Sequence, residues 1–230
     1  MNNQSGYLSS ERVNTASDLI RRVYGWMTIA LGITGLTSYV VAGNLTIQNL
    51  LLTNAWFSWG LLFLQLGMVI YLSARVMKMS LNTASVMFVL YSFVTGIVFS
   101  LLFTMYTKES LATTFFITGA LFGVMSLYGW TTKRDLTSMG SILFMGLIGI
   151  IIASVVNIFL KSTMLYWITT YVGVFIFIGL VVYDTQKLKQ LAGMADSDSR
   201  SKLAIIGALS LYLDFINLFL MLLRIFGRRN

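Results

Sequence analysis

The chain has 230 residues, 57% of them hydrophobic and 10% charged, with a mean hydropathy of +0.81, where soluble domains carry about 25% charged residues. That balance excludes an ordinary soluble domain and suits a chain built for lipid. Its 16 Lys and Arg against 8 Asp and Glu leave +8, but the cations sit singly or in pairs between long apolar runs, so they read as topology signals and no nucleic-acid partner is expected. With no Cys and no His, disulfides, thiol nucleophiles, His-centred triads, haem ligation and ordinary zinc sites are excluded. Neither an enzyme nor a resident cofactor is expected. Pro is also absent, which leaves the 19 Gly to shape turns and kinks.

Taken in chain order, residues 1–22 are polar, and with no clear cleavage site they read as a short cytoplasmic tail and not as a signal peptide. No charge follows from Val23 to Ala74, which is long enough for two spans, about 23–43 and 55–75, with a polar hairpin between them. Charge-free intervals then place spans at about 83–106, 111–131, 137–160 and 163–186. A seventh run, 203–223, carries Asp214 in its middle, and residues 228–230 form a short C-terminal tail. Backbone groups in lipid must bond within their own segment, so the expected fold is an all-α membrane protein, a seven-transmembrane-helix bundle.

With the tail inside, Arg12, Arg21, Arg22, Arg75, Lys78, Lys133, Arg134, Lys187, Lys189, Arg200 and Lys202 are cytoplasmic, and the outer loops hold only Lys108 and Lys161. This obeys the positive-inside rule. Arg224, Arg228 and Arg229 break it if the last segment crosses fully; a segment that turned back would leave both termini inside. The length of 203–223 favours the full crossing. Between spans six and seven, 187–202 reads as the longest soluble loop. Gly119 and Gly123 form a G-x-x-x-G expected to pack inside the bundle, and the Trp residues mostly fall near span ends as interfacial anchors.

Two carboxylates stand out, because a charge at bilayer depth costs at least about 2.5 kcal/mol. Asp214 lies about 16 Å into its span by helix rise. Asp184 closes span six, and Leu188 and Leu191 continue its helical spacing for about two more turns. Antiparallel neighbours would bring the two acids within a turn of the same depth. Ser210, Asp214 and Asn217 form a polar stripe on the last helix, which is therefore expected to pack centrally. The plainer reading is a helix cap at Asp184 and internal hydrogen bonding at Asp214. Two touching carboxylates would instead share a proton and, when ionised, offer hard oxygens to a passing Ca2+. Tyr183-Asp184 also suggests an intramembrane aspartyl protease, but Leu211-Tyr212-Leu213-Asp214 lacks the Gly-x-Gly-Asp such enzymes use and no Pro-Ala-Leu segment exists.

The run Gly179-Leu180-Val181-Val182-Tyr183-Asp184-Thr185-Gln186, and Ala208 to Phe219 reading ALSLYLDFINLF, resemble the Bax inhibitor family of transmembrane BAX-inhibitor-motif proteins. Gly123–Asp135, reading GVMSLYGWTTKRD, resembles its bacterial inner-membrane branch. The similarity covers roughly 20–227. What the resemblance implies is a pH-sensitive Ca2+ leak in the inner membrane. Asp184 and Asp214 would be its sensor and transient metal site, and an arginine of span two would latch the closed pore. That arginine is carried over to Arg75, with Lys78 an equal candidate; positive-inside anchoring is the plainer role for both. The family also implies a second class of function, a non-conducting stress-response protein that regulates membrane-protein partners such as membrane proteases. The partners expected are thus lipid, Ca2+, protons and, on the second reading, other membrane proteins.

Overall fold

The computed structural model describes residues 2–192 and 197–230, with side chains from residue 16 onward except in 193–198. Among the described residues nine α-helices follow in order: α1 Asn2–Ala42, α2 Leu45–Thr53, α3 Ala55–Arg75, α4 Leu81–Phe99, α5 Leu102–Met105, α6 Lys108–Thr131, α7 Thr137–Leu160, α8 Thr163–Ala192 and α9 Ser197–Phe226. A short 3-10 turn, Val76–Lys78, follows α3. Seven of the segments are long and apolar enough to cross a bilayer. The protein is an all-α membrane protein with seven spanning helices, and α9 is the most buried of them: 67% of its span is covered, against 6% for α7.

Helix ends differ from the sequence expectation in instructive ways. Residues 1–22 are helical from Asn2, and the apolar span reaches back to Ala16, so Trp26 lies inside a span instead of at its end. The exposed Arg22 to Asp18 bond, 3.0 Å and one turn apart, suits helix continuing through this polar stretch. The hairpin between the first two spans is itself a helix, α2, with Gln48 and Leu51 buried. The expected soluble loop at 187–202 is largely helix as well, since α8 runs to Ala192 and α9 starts at Ser197; Gly193 and Asp196 lie outside the described residues. Nor does any described glycine adopt a positive φ. Helices are started instead by polar caps: Asn44 accepts from Ile47 N, Asn54 from Phe57 N and Ser80 from Thr83 N. Among the described residues the one in the left-handed region is Lys161, φ 50°, in the tight turn after α7. There the Asn157 side chain accepts from Ser162 N at 2.8 Å.

Two compact units divide the described chain. The first holds residues 1–107, 188–212 and 229–230, and the second 108–187 and 213–228. In the first, α1 packs closely on α4 at Gly96, where a Cβ would lie 2.6 Å from Thr37 Cβ. Tyr212 is fully buried there, edge-on to Phe88 and Tyr91, with its hydroxyl 2.7 Å from Thr34 Oγ1. Thr34 in turn donates to Ser92 O, and Gln65 donates to Thr95 Oγ1. The hydroxyls of Thr34, Tyr212 and Thr95 are thus paired across helices, as lipid demands. In the second unit the core is Ile150, Ile176, Phe177, Leu180, Leu218, Met221 and Leu222.

The last segment does not turn back. α9 is unbroken to Phe226, and Arg229 then pairs with Tyr106 in an antiparallel bridge while Asn230 N donates to Met105 O. The residues after the seventh span are therefore tied to the junction between the third and fourth.

Candidate acidic site in the second unit

Asp184 lies on α8 eight residues before its end, and the residues on either side of it are all engaged. Gly129 of α6 brings backbone so near Val182 that a Cβ there would strike Val182 O, and Gly140 of α7 leaves room only for the Tyr183 ring. Thr185 Oγ1 bonds Ser126 Oγ at 2.9 Å. Gln186, buried, uses both ends of its amide on the turn between α6 and α7: Nε2 donates to Arg134 O at 2.7 Å and Oε1 accepts from Leu136 N at 3.0 Å. Lys187 sits over the Tyr183 ring, 5.8 Å from its centre.

Asp214 comes from the half of α9 that belongs to this unit. It is 6% exposed, and its Oδ2 has no hydrogen-bond partner among the described residues. Next to it, Phe215 packs edge-on against Phe115 and Phe122, at 5.3 and 5.6 Å between ring centres, so water has little access from that side. The register of α8 on α9 follows from Gly173, which meets the Met221 side chain. Counting from that contact along antiparallel helices, the level of Asp184 falls four residues before Asp214, about 6 Å by helix rise. Asp184, half-buried, acts electrostatically on Asp214.

The other expected residues fare differently. Asn217 donates to Leu213 O of its own helix at 2.8 Å, and Ser210 belongs to the first unit. Arg75 ends α3 and Lys78 ends the 3-10 turn, both exposed and both in the first unit, and neither makes an ion pair among the described residues. Gly119 and Gly123 have open space where a side chain would start, so they do not pack inside the bundle. Around Asp184 the close approaches belong to Gly129 and Gly140. Sequence reasoning passed over Gln186, Ser126, Gly129 and Gly140 as site residues, although Gln186 lies inside the run 179–186 and both Ser126 and Gly129 inside 123–135, runs that carried the resemblance. A neutral amide has no charge to betray it.

Chemically, the site is two carboxylates and little else. No group of three His, Cys, Asp or Glu that could hold a metal exists among the described residues. Two carboxylates fall short of the six to eight oxygens, roughly, of a permanent Ca2+ site. They suffice for a shared proton or for a cation that keeps most of its water.

Comparison with known proteins fits the motifs on which this geometry is built. The family model described as inhibitor of apoptosis-promoting Bax1 matches residues 16–230. The chain belongs to the Bax inhibitor family. Among its relatives are the inner membrane protein YbhL of Escherichia coli K12, 52% identical over 91% of each chain, and the uncharacterized protein RP147 of Rickettsia prowazekii, 45% identical over 91% of this chain and 89% of its own. A Borreliella burgdorferi protein is 43% identical over 92% of both. In this Bax inhibitor family member the shared region contains all seven spans and both acids.

Proposed function

We propose that this protein is a pH-sensitive Ca2+ leak channel whose proton and cation site is the Asp184–Asp214 pair. The observation that carries the reading is Asp214, a carboxylate buried in a membrane span with an oxygen that no described donor satisfies, set within electrostatic reach of a second carboxylate. A buried carboxylate without a partner must hold a proton or a cation, because an isolated charge in a dry interior is too costly. Proton and Ca2+ compete for the same oxygens, so cation passage depends on pH. Ca2+ is cargo here, and the protein acts without catalysis.

The description of the Escherichia coli relative as an inner membrane protein supports the bacterial inner membrane as the location. The distribution of Lys and Arg supports a cytoplasmic N-terminus. The deciding experiment is Ca2+ entry into liposomes that contain only the purified protein, measured from acidic to mildly alkaline pH. Flux that changes with pH and disappears in Asp214→Asn is the expected result. Protein that moves no Ca2+ at any pH sinks the channel reading and leaves the non-conducting regulator in its place.

A further inference from the structure

The turn of α8 that carries Asp184 is held more firmly than a helix turn needs for its own stability. Of the five residues from Val182 to Gln186, the four other than Asp184 are each fixed to α6, to α7 or to the turn between them. Val182 sits on Gly129, Tyr183 on Gly140, Thr185 bonds Ser126, and Gln186 makes two bonds to the backbone at Arg134 and Leu136. The Gln186 contacts are the most directional. A primary amide offers a donor and an acceptor side by side, and here each meets a backbone group of the opposite kind, as an adjacent strand would. Such a bidentate contact fixes both the height and the rotation of the helix turn that bears it.

We infer that Gln186 is a positioning residue for the acidic site, clamping α8 to the turn between α6 and α7 so that Asp184 is held at the rotation and height that face Asp214. This rests on the reading of the acid pair given above and adds to it the residue that sets the pair's geometry. The reason a clamp matters is angular: adjacent helix positions differ by about 100°, and a slip of a fraction of that turns the carboxylate away. The amide does not titrate, so it can hold the turn in the same place whether the pair carries a proton or not. Ser126 and Gly140 serve the same end from α6 and α7.

The chain's lack of Cys makes the test direct. Asp184→Cys and Asp214→Cys are combined, and the rate of their cross-linking by a short bifunctional methanethiosulfonate is measured in the full-length protein, with Gln186 intact and with Gln186→Met. Met keeps the length and apolar bulk and removes both bonds. Loss of a supporting contact around a ligating group typically weakens a site by about 10–100-fold, so the rate, read well below the variant's own melting temperature in detergent, is expected to fall about tenfold. Ser126→Ala and Gly140→Ala are run in parallel, so the outcome does not hang on Gln186→Met folding; both are expected to slow the cross-link. An unchanged rate in all three backgrounds overturns the clamp. If the pair fails to cross-link even with Gln186 intact, the acid pair itself is not formed, and both readings fall; the intact-clamp control tells the two failures apart.

Discussion

A carboxylate deep in a spanning helix has few ways to be satisfied, and Asp214 shows which ones the fold withholds. On the same helix Asn217 turns back on its own backbone, donating to Leu213 O, and Asp184 is the carboxylate that acts on Asp214. Two predictions belong at this scale. Asp184→Asn and Asp214→Asn should each remove pH-dependent Ca2+ flux without lowering the unfolding temperature, and the double variant should be scarcely worse than either alone, because one shared proton is already lost in each single change. Additive losses, or infrared titration in which the two carboxylates ionise independently, would show two unrelated acids. Outside the membrane, Asp135 accepts from the Thr137 hydroxyl at 2.6 Å and from Thr137 N at 2.9 Å, at the start of α7. Those bonds, the hydroxyl first, hold its carboxyl below the ordinary value of 3.8. A lowered value means the support is complete above the unfolded value and is lost as pH falls through the folded one. Wild type should therefore lose its small thermal advantage over Asp135→Ala only under strongly acid conditions; an advantage unchanged at the lowest pH would count against the cap.

At the scale of elements, the glycines divide into those that face a neighbour and those that face outward. Gly129→Ala must push Val182 O and Gly140→Ala must push the Tyr183 ring, and overpacking of this kind costs about 1–3 kcal/mol. Gly119→Ala and Gly123→Ala add a methyl to open space, so each should be neutral or raise helix stability by roughly 0.5–1 kcal/mol. Denaturation in mixed micelles measures all four, and a penalty at Gly123 as large as at Gly129 would contradict the packing. A G-x-x-x-G spacing in the sequence marks two small residues on one helix face, but which face meets a partner depends on helices that the spacing does not mention. The same limit explains α2. Its residues look like a polar hairpin because Asn44, Thr46, Gln48, Asn49, Thr53 and Asn54 interrupt the apolar run, yet Asn44 caps a helix and Gln48 is buried, donating to Ser100 Oγ at 2.8 Å.

For the whole molecule, seven spans are an odd number, so the two termini are expected on opposite faces, and the Lys and Arg distribution predicts that the N-terminal face is the cytoplasmic one. The Arg229–Tyr106 bridge ties the C-terminal residues to the junction of the third and fourth spans, and Arg228 N donates to Ser110 Oγ at 2.9 Å. Single cysteines at Thr107 and Asn230 should be labelled from outside intact cells, and those at Lys133 and Ser9 only after the membrane is opened. Labelling at Asn230 that follows Lys133 would mean the seventh span does not cross. The basic residues near the end of α9, which break the positive-inside pattern, find local partners instead: Arg224 lies over the Tyr166 ring at 5.2 Å, a contact worth about 0.5–1 kcal/mol at an exposed site.

The amino-acid sequence by itself determined the class of molecule, the number of spans and the two acids, since these follow from quantities local to the chain: the length of charge-free runs against bilayer thickness, and the cost of a charge within one. It determined the family too, through two motifs that each contain an acid or a cap. Only the tertiary structure decided that Asp214 keeps an unsatisfied oxygen and that Gln186, Ser126, Gly129 and Gly140 meet the turn that carries Asp184. Those facts depend on residues about 50 positions apart meeting across helix faces, and the reach of a hydrogen bond or a methyl clash is a few ångströms in space, with no counterpart along the chain.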